Sequence, residues 1–283
     1  MSFNFLELIV FIIAIIATLS SLVAMLIHIA SQKKKNPFFP NGLPLPIDAP
    51  SYVERECDHQ LATALETEQF IAITGEYRIG KSSLLMRVMQ APFFVRERGK
   101  NCYMDFQSMR TDNTELFLEE FFKSVSKSLG KEVISWQDNI LTNQAIVFRL
   151  DEFGLLTDDI ATKLIPPLYS LSRENNNLRV IVCLPELVDN FLKKTSINNP
   201  KYLTAWKNIS VKSFEEKEIL QLLSLLPKPV AQVAEAQYDT VLKLSSGKPL
   251  GLQCLCDKLF KTARNNPKTE ELIATINDQD NYK

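Results

Sequence analysis

The run Gly75-Glu76-Tyr77-Arg78-Ile79-Gly80-Lys81-Ser82 fits the pattern G-x-x-x-x-G-K-[ST]. Glycines at its two ends let backbone N–H groups turn toward an anion that Cβ atoms would obstruct. Lys81 is expected on the β- and γ-phosphates of a nucleotide, and the Ser82 hydroxyl on Mg²⁺. A helix expected from Ser82 directs its N-terminal dipole at the same phosphates, and Arg78 and Ser83 belong to the same nucleotide-binding set. Farther along, "IVFRLDEFG" ends an apolar run in Asp151-Glu152. Asp151 is placed to hold Mg²⁺ through a water, as the Walker-B position. Glu152 can accept a proton from an attacking water. Lys81, Asp151 and Glu152 are therefore the candidate catalytic residues, Ser82 and Asp151 the metal residues, and ATP with Mg²⁺ the expected cofactors.

Such residues need a scaffold that brings strand ends together. Strand-length apolar runs recur at Gln69–Thr74, Asn101–Phe106, Ala145–Leu150 and Leu178–Leu184, with a weaker one at Lys207–Val211. Helical patterns separate them, over "NTELFLEEFFKSVSKSL", near Ile160–Leu171 and from Glu186. That alternation predicts an α/β fold with a five-stranded parallel sheet. "NCYMDF" falls between the two motif strands in sequence, an arrangement typical of ATPases whose catalytic glutamate follows the Walker-B aspartate. Arg149 sits awkwardly inside a strand expected to be buried on both faces. A strand edge, a carboxylate partner and a different register would each account for it.

After the last strand the pattern turns helical. "SFEEKEILQLLSLL" offers Ser213 as an N-cap with Glu216 three residues on. "EAQYDTVLKLSSGKPLGLQCLCDKLFKTA" reads as two helices broken at Ser245-Ser246-Gly247. The expected organisation is an N-terminal segment 1–35, a proline-rich linker 36–51, an α/β core 52–212 and a helical lid 213–283.

The N-terminal segment has different chemistry. Leu8 to Ile27 carries no formal charge, and as a helix of about 30 Å it matches the hydrocarbon core of a bilayer. A cleavable signal peptide would start basic and have a shorter apolar core. Here Glu7 precedes the run, and Lys33, Lys34 and Lys35 follow it. The reading is one transmembrane helix through residues 8–27, in a bacterial cytoplasmic (inner) membrane, single-pass. The N-terminus lies outside and everything after Lys35 is cytoplasmic. The following "NPFFPNGLPLPIDAP" holds Pro37, Pro40, Pro44, Pro46 and Pro50, and cannot sustain a helix. It reads as a semi-rigid spacer or as a segment packed on the next domain, and the sequence leaves both open.

The chain of 283 residues has a net charge of -1 and a pI near 6.2. That balance supplies no basic field for nucleic acid. The five cysteines are odd in number and scattered, three of them in apolar, core-like surroundings. Cys254-x-Cys256 is too closely spaced for a zinc knuckle, so reduced thiols are expected.

"SYVERECDHQLATAL", "GEYRIGKSSLL", "YMDFQS", "RLDEFG" and "SSGKPLGLQCLCDKL" occur in an order that resembles the bacterial AAA-like P-loop ATPases of the STAND class, signal-transduction ATPases with numerous domains. The likeness runs roughly from Ser51 to Leu259. It implies a P-loop NTPase core with a C-terminal helical lid. It also implies that Tyr52 and Arg55, from a Tyr-Val-x-Arg box, lie near the nucleotide base, and that Pro249 of Gly247-Lys248-Pro249 approaches the nucleotide. Two features depart from that class. Typical members carry a long C-terminal sensor or repeat region, whereas the sequence here ends soon after the expected lid, and Pro185-Glu186 stands where many relatives place a polar sensor. Arg173 is a candidate finger acting on a neighbouring subunit.

Three functions fit these residues. The first is a membrane-anchored ATPase switch, forming a homo-oligomer and engaging a protein partner. The second is a nucleotide-dependent membrane scaffold without hydrolysis, and the third a DNA- or transposition-linked ATPase.

Overall fold

The computed structural model describes residues 18, 35–90, 99–197, 199–265 and 267–282. Met1–Asn36 and Pro37–Lys283 are two separate units, and the second holds the sheet, its helices and the lid. The apolar run from Leu8 to Ile27, Thr18 apart, lies outside the described residues. Among those described, no helix is long and apolar enough to cross a membrane.

Five parallel strands form one sheet: β1 Phe70–Thr74, β2 Lys100–Asp105, β3 Ile146–Asp151, β4 Leu178–Leu184 and β5 Trp206–Ser210. Their spatial order is β2-β3-β4-β1-β5. The strand inserted between the phosphate-loop strand and the Asp151 strand is therefore β4. "NCYMDF" lies between them only in sequence, and as β2 it forms the far edge. β1, β3 and β4 are buried along their whole length, which is why they read as unbroken apolar runs.

Eleven α-helices surround the sheet among the described residues. Those of the core are α1 Glu56–Thr67, α2 Lys81–Arg87, α3 Thr114–Leu129, α4 Asp158–Glu174, α5 Val188–Lys193 and α6 Pro200–Leu203. The lid contributes α7 Glu216–Leu223, α8 Lys228–Ala236, α9 Tyr238–Ser245, α10 Pro249–Ala263 and α11 Thr269–Asn277. Strand alternation sorts the two faces. Ile146, Phe148 and Leu150 pack with Phe106, Phe117 and Phe121 on one side, while Ile71, Ile73 and Val147 meet Leu84 and Leu85 of α2 on the other. The lid has its own core around Ile219, Leu222, Leu255 and Leu259.

Two local expectations shift. The short helix anticipated from Glu186 begins at Val188. The first lid helix is capped at Glu215, whose N–H donates to the Glu218 carboxylate at 2.7 Å, rather than by Ser213 and Glu216. The cause is Phe214. Its N–H donates to the Gly247 carbonyl at 2.8 Å and its ring joins the lid core, so the chain stays extended through that residue. Four cysteines, not three, are buried: Cys57, Cys102, Cys183 and Cys256. All five thiols are free.

Arg149 needs neither an edge nor a slipped register. It points to the α2 face, where Nη1 donates to the Leu85 carbonyl at 3.1 Å and Nε to Asn101 Oδ1 at 2.6 Å. The guanidinium also lies over the Tyr103 ring at 5.2 Å. It thus ties the end of the phosphate-loop helix to β2 and β3, where the helix dipole favours a cation. Burial lowers its pKa to about 10, still far above neutrality. Arg149→Met removes the charge and leaves two buried acceptors without their donor. It should destabilise the fold by about 1–3 kcal/mol per orphaned acceptor, read as a lower urea midpoint with an unchanged slope.

Candidate nucleotide site

Parallel register brings the functional strand ends into one plane. Thr74 stands opposite Leu184 and Ser210, and Asp105 opposite Asp151. The loop that leaves β1 therefore opens over the carboxylates that end β2 and β3, where open parallel sheets bind ligands.

The phosphate loop is fixed from below. Gly75 has φ of 152°, and a Cβ there would meet the Val211 carbonyl oxygen at 2.5 Å. No other residue fits. Gly80, at φ of 97°, is the N-cap of α2, so that helix starts at Lys81, one residue earlier than Ser82. Lys81 Nζ donates to the Gly75 and Glu76 carbonyls at 2.9 and 2.8 Å. Burial lowers its pKa, while Cys183, Glu152 and Asp151 push it back up.

Asp151 is buried, and its Oδ1 accepts the Glu152 N–H at 3.0 Å. Tyr103 reaches the other oxygen at 3.5 Å. Glu152 has φ of 51°, a left-handed conformation that a non-glycine residue adopts at a cost of about 1–2 kcal/mol. That conformation turns its side chain into the cavity beside Lys81 and Asp151. Burial raises the Glu152 pKa, Asp151 and Asp105 add to the rise, and Lys81 opposes it. A carboxylate with raised proton affinity next to a metal-binding partner is the arrangement expected of a general base.

A cavity of about 390 Å³ joins these groups. Arg78, Gly80, Lys81, Ser82, Ser83, Asp151, Glu152 and Pro249 all line it. Gly75 lies beneath, as the acceptor that holds Lys81. Tyr52 and Arg55 do not line it. The Tyr52 hydroxyl donates to Asp58 and its ring is covered by Arg87 at 4.4 Å. Arg55 is buried under the loop, with Nη1 donating to the Ile79 carbonyl at 3.1 Å and the Lys212 carbonyl at 3.4 Å. Arg173 is exposed in the last turn of α4, at the opposite end of the sheet from this cavity. Pro185-Glu186 pairs with Lys194 through the Glu186 carboxylate.

The lid reaches the loop directly. Lys248, between Gly247 and Pro249, pairs with Glu76 at 2.9 Å, and that contact holds the Glu76 carboxyl below its ordinary range.

Sequence reasoning missed two parts of this lining. Tyr103, Asp105 and Gln107 come from the end of β2, and Asp105 carried the same signal as Asp151, an acid closing an apolar strand. Phe39 to Leu45 come from the proline-rich segment. Its backbone N–H at Leu45 donates to Ser83 Oγ at 3.0 Å, and Phe38 is buried in the lid core. The segment is packed on the domain, the second of the two readings left open.

The sequence matches no family model and no curated protein. Several solved structures share the fold. The Walker-type ATPase PABY2304 of Pyrococcus abyssi superposes with a TM-score of 0.54 at 17% identity, over 80% of this chain and 71% of that one. Domain III of the Thermotoga maritima replication initiation protein DnaA gives 0.55 at 13% identity, over 84% and 97%. The Thermotoga maritima RuvB Holliday junction branch migration motor gives 0.53 at 12% identity, over 81% and 72%. The chain shares the fold of these structures.

Glu152→Gln tests the electrostatics of the site without any ligand. A raised folded-state pKa contributes stability that is present at low pH and lost as pH rises through that value. The variant should therefore melt above the wild type near pH 8, and the difference should vanish below about pH 4, the ordinary glutamate range. Thermal melts across that range read it directly.

Proposed function

We propose that the chain is a membrane-anchored ATP-hydrolysing switch of the AAA-like signalling (STAND) class. Its nucleotide state governs self-association or the engagement of a protein partner at the cytoplasmic face of a bacterial inner membrane. The observation that carries this reading is the shared cavity: phosphate loop, strand-end carboxylates and the lid's Lys248-Pro249 line or clasp a single space.

Each residue has a role that its surroundings support. Gly80, Lys81, Ser82 and Ser83 of the loop line the cavity, and Lys81 has carbonyl partners it can exchange for phosphate oxygens. Ser82 and Asp151 fit Mg²⁺, which takes few protein oxygens and completes its shell with phosphate and water. When bound, Mg²⁺ and ATP supply the Lewis acid and the phosphoryl group. Glu152, with its raised proton affinity, takes the proton of the attacking water. The Glu76–Lys248 pair joins the lid to the loop, and through it the lid would respond to the difference between ATP and ADP.

The anchor is proposed from residues 8–27, apolar over a bilayer's width, with Lys33 to Lys35 setting the N-terminus outside. Arg173 is proposed as a finger for a neighbour's site in an oligomer, which its exposure and its distance from its own cavity support. Two fold neighbours are a replication initiation protein and a Holliday junction motor. Work on DNA would ask for a basic face, and a net charge of -1 does not favour it.

Glu152→Gln separates the switch from a non-hydrolysing scaffold. The expected result is ATP hydrolysis reduced about 10²–10⁴-fold with ATP binding retained; equal turnover by wild type and variant favours the scaffold. The mass of the detergent-solubilised chain with ATP, with ADP and without nucleotide tests the switch itself. A mass independent of nucleotide rules out control through assembly.

A further inference from the structure

Alternation along two neighbouring strands gathers a polar cluster on the α2 face of the sheet. Asn101, Tyr103 and Asp105 of β2 point one way, and Arg149 and Asp151 of β3 point with them. The register sets Tyr103 opposite Arg149 and Asp105 opposite Asp151. Arg149 is the hub. Its Nε donates to Asn101 Oδ1 at 2.6 Å and its Nη1 to the Leu85 carbonyl at 3.1 Å, while its guanidinium lies 5.2 Å from the centre of the Tyr103 ring. A cation is drawn to an aromatic face more strongly where burial strips its water, and Arg149 is buried. The Tyr103 ring is thereby pinned.

The hydroxyl at the far end of that ring faces the nucleotide cavity and stands 3.5 Å from Asp151 Oδ2. Asp151 is itself buried, and its Oδ1 accepts the Glu152 N–H at 3.0 Å. The Cys183 thiol of β4, on the other flank of β3, bonds the same carboxylate. All three donors are uncharged. Lys81 senses the carboxylate but donates to the Gly75 and Glu76 carbonyls. A buried carboxylate among neutral donors keeps its charge for a cation, and those donors decide how its oxygens are aimed. The Tyr103 contact is long for O–H···O, which leaves room for it to tighten when the site is loaded.

We propose that Tyr103 is a positioning residue for the metal: its ring, pinned by Arg149, holds its hydroxyl against Asp151 and fixes the oxygen that meets the Mg²⁺ shell. The proposal rests on the phosphate-loop reading above and assigns within it a residue that belongs to neither motif. Asp105, two residues on, is occupied instead as the cap of the short helix after β2, where its Oδ1 accepts the Gln107 N–H at 2.9 Å. Arg149 extends the same control to the second metal group. Its acceptor Leu85 lies on α2, the helix that carries Ser82, so Ser82 and Asp151 are both referred to one guanidinium.

The test is equilibrium binding of a non-hydrolysable ATP analogue to the full-length, detergent-solubilised chain, with free Mg²⁺ titrated upward from an EDTA baseline. Tyr103→Phe keeps the ring over Arg149 and removes only the hydroxyl. It should raise the free Mg²⁺ needed for half of the metal-dependent gain in affinity about tenfold. Its affinity in EDTA should match the wild type. Tyr103→Leu removes the ring as well and should also lower the melting temperature, which separates the ring's share in stability from the hydroxyl's share in metal binding. A Phe variant with the wild-type Mg²⁺ demand overturns the proposal. So does an affinity loss that is equal with and without metal, which is what a merely structural role would give. A wild type that binds the analogue equally well with and without Mg²⁺ overturns the metal site and the role of Tyr103 with it, while the phosphate loop stands. One that binds under neither condition overturns the phosphate-loop reading as well.

Discussion

The Arg55 guanidinium is buried beneath the phosphate loop, and the rest of the site depends on it. It donates to the carbonyl of Ile79 inside the loop and to that of Lys212 where the core hands over to the lid. Its other face lies over the ring of Phe214, the first lid residue to enter the lid core. A Cβ on Gly80 would stand 3.1 Å from its Nη2. One cation therefore ties the loop to the core–lid junction through two backbone carbonyls, while the left-handed φ of 97° requires glycine at the helix cap. The family expectation of a base contact at this position gives way to a supporting role, one layer below the ligand surface.

The same economy appears in the sheet. Arg149 and Arg179 both point to the α1–α2 face, and both reach carbonyls in the last turn of a helix. Arg149 bonds Leu85 of α2, and Arg179 bonds Leu65 of α1 at 2.9 Å. Helix C-termini are the negative ends of their dipoles and have unpaired carbonyls, which a guanidinium satisfies. The consequence for chemistry is rigidity. The helix carrying Lys81 and Ser82 is bolted to the strand carrying Asp151, so lysine, hydroxyl and carboxylate keep their spacing whatever the lid does. Left-handed backbone outside glycine falls, among the described residues, at Arg78 in the loop, at Ser246 before the lid's Gly247 and at Glu152, where it accompanies the candidate base beside that group.

Much of this was legible because local patterns and global packing agree. The phosphate loop, the Asp151-Glu152 pair and the five strands each have short-range signatures, and the structure places them as those signatures imply. What escaped came from pairings between distant residues. Strand order is one: nothing in "LRVIVCL" says that it inserts between β1 and β3, because register across a parallel sheet is set by non-local contacts. Arg149 is another, since its acceptors are a helix carbonyl and an asparagine 48 positions away. The lid cap shifted for the same reason, Phe214 being held by Gly247 rather than by its neighbours. A proline-rich segment advertises only what it cannot be, a helix. Its place on the cavity wall is decided by Gln253, 214 positions from Phe39.

That strap, Pro37–Pro50, links the lid to the phosphate-loop helix. Both its ends are bonded to Gln253 on α10, its middle is bonded to Ser83 at the phosphate-loop helix, and Phe38 is inserted into the lid core against Phe260. A lid moving relative to the loop must either break the Leu45–Ser83 bond or carry the strap with it. The proline content favours the second, because five prolines leave the segment few backbone torsions with which to absorb the displacement. Movement at the Glu76–Lys248 clasp would therefore be shared by the strap. A flexible Gly/Ser tether in the same place would dissipate it within a few residues. The stiffness of the strap is what couples the lid to the phosphate-loop helix.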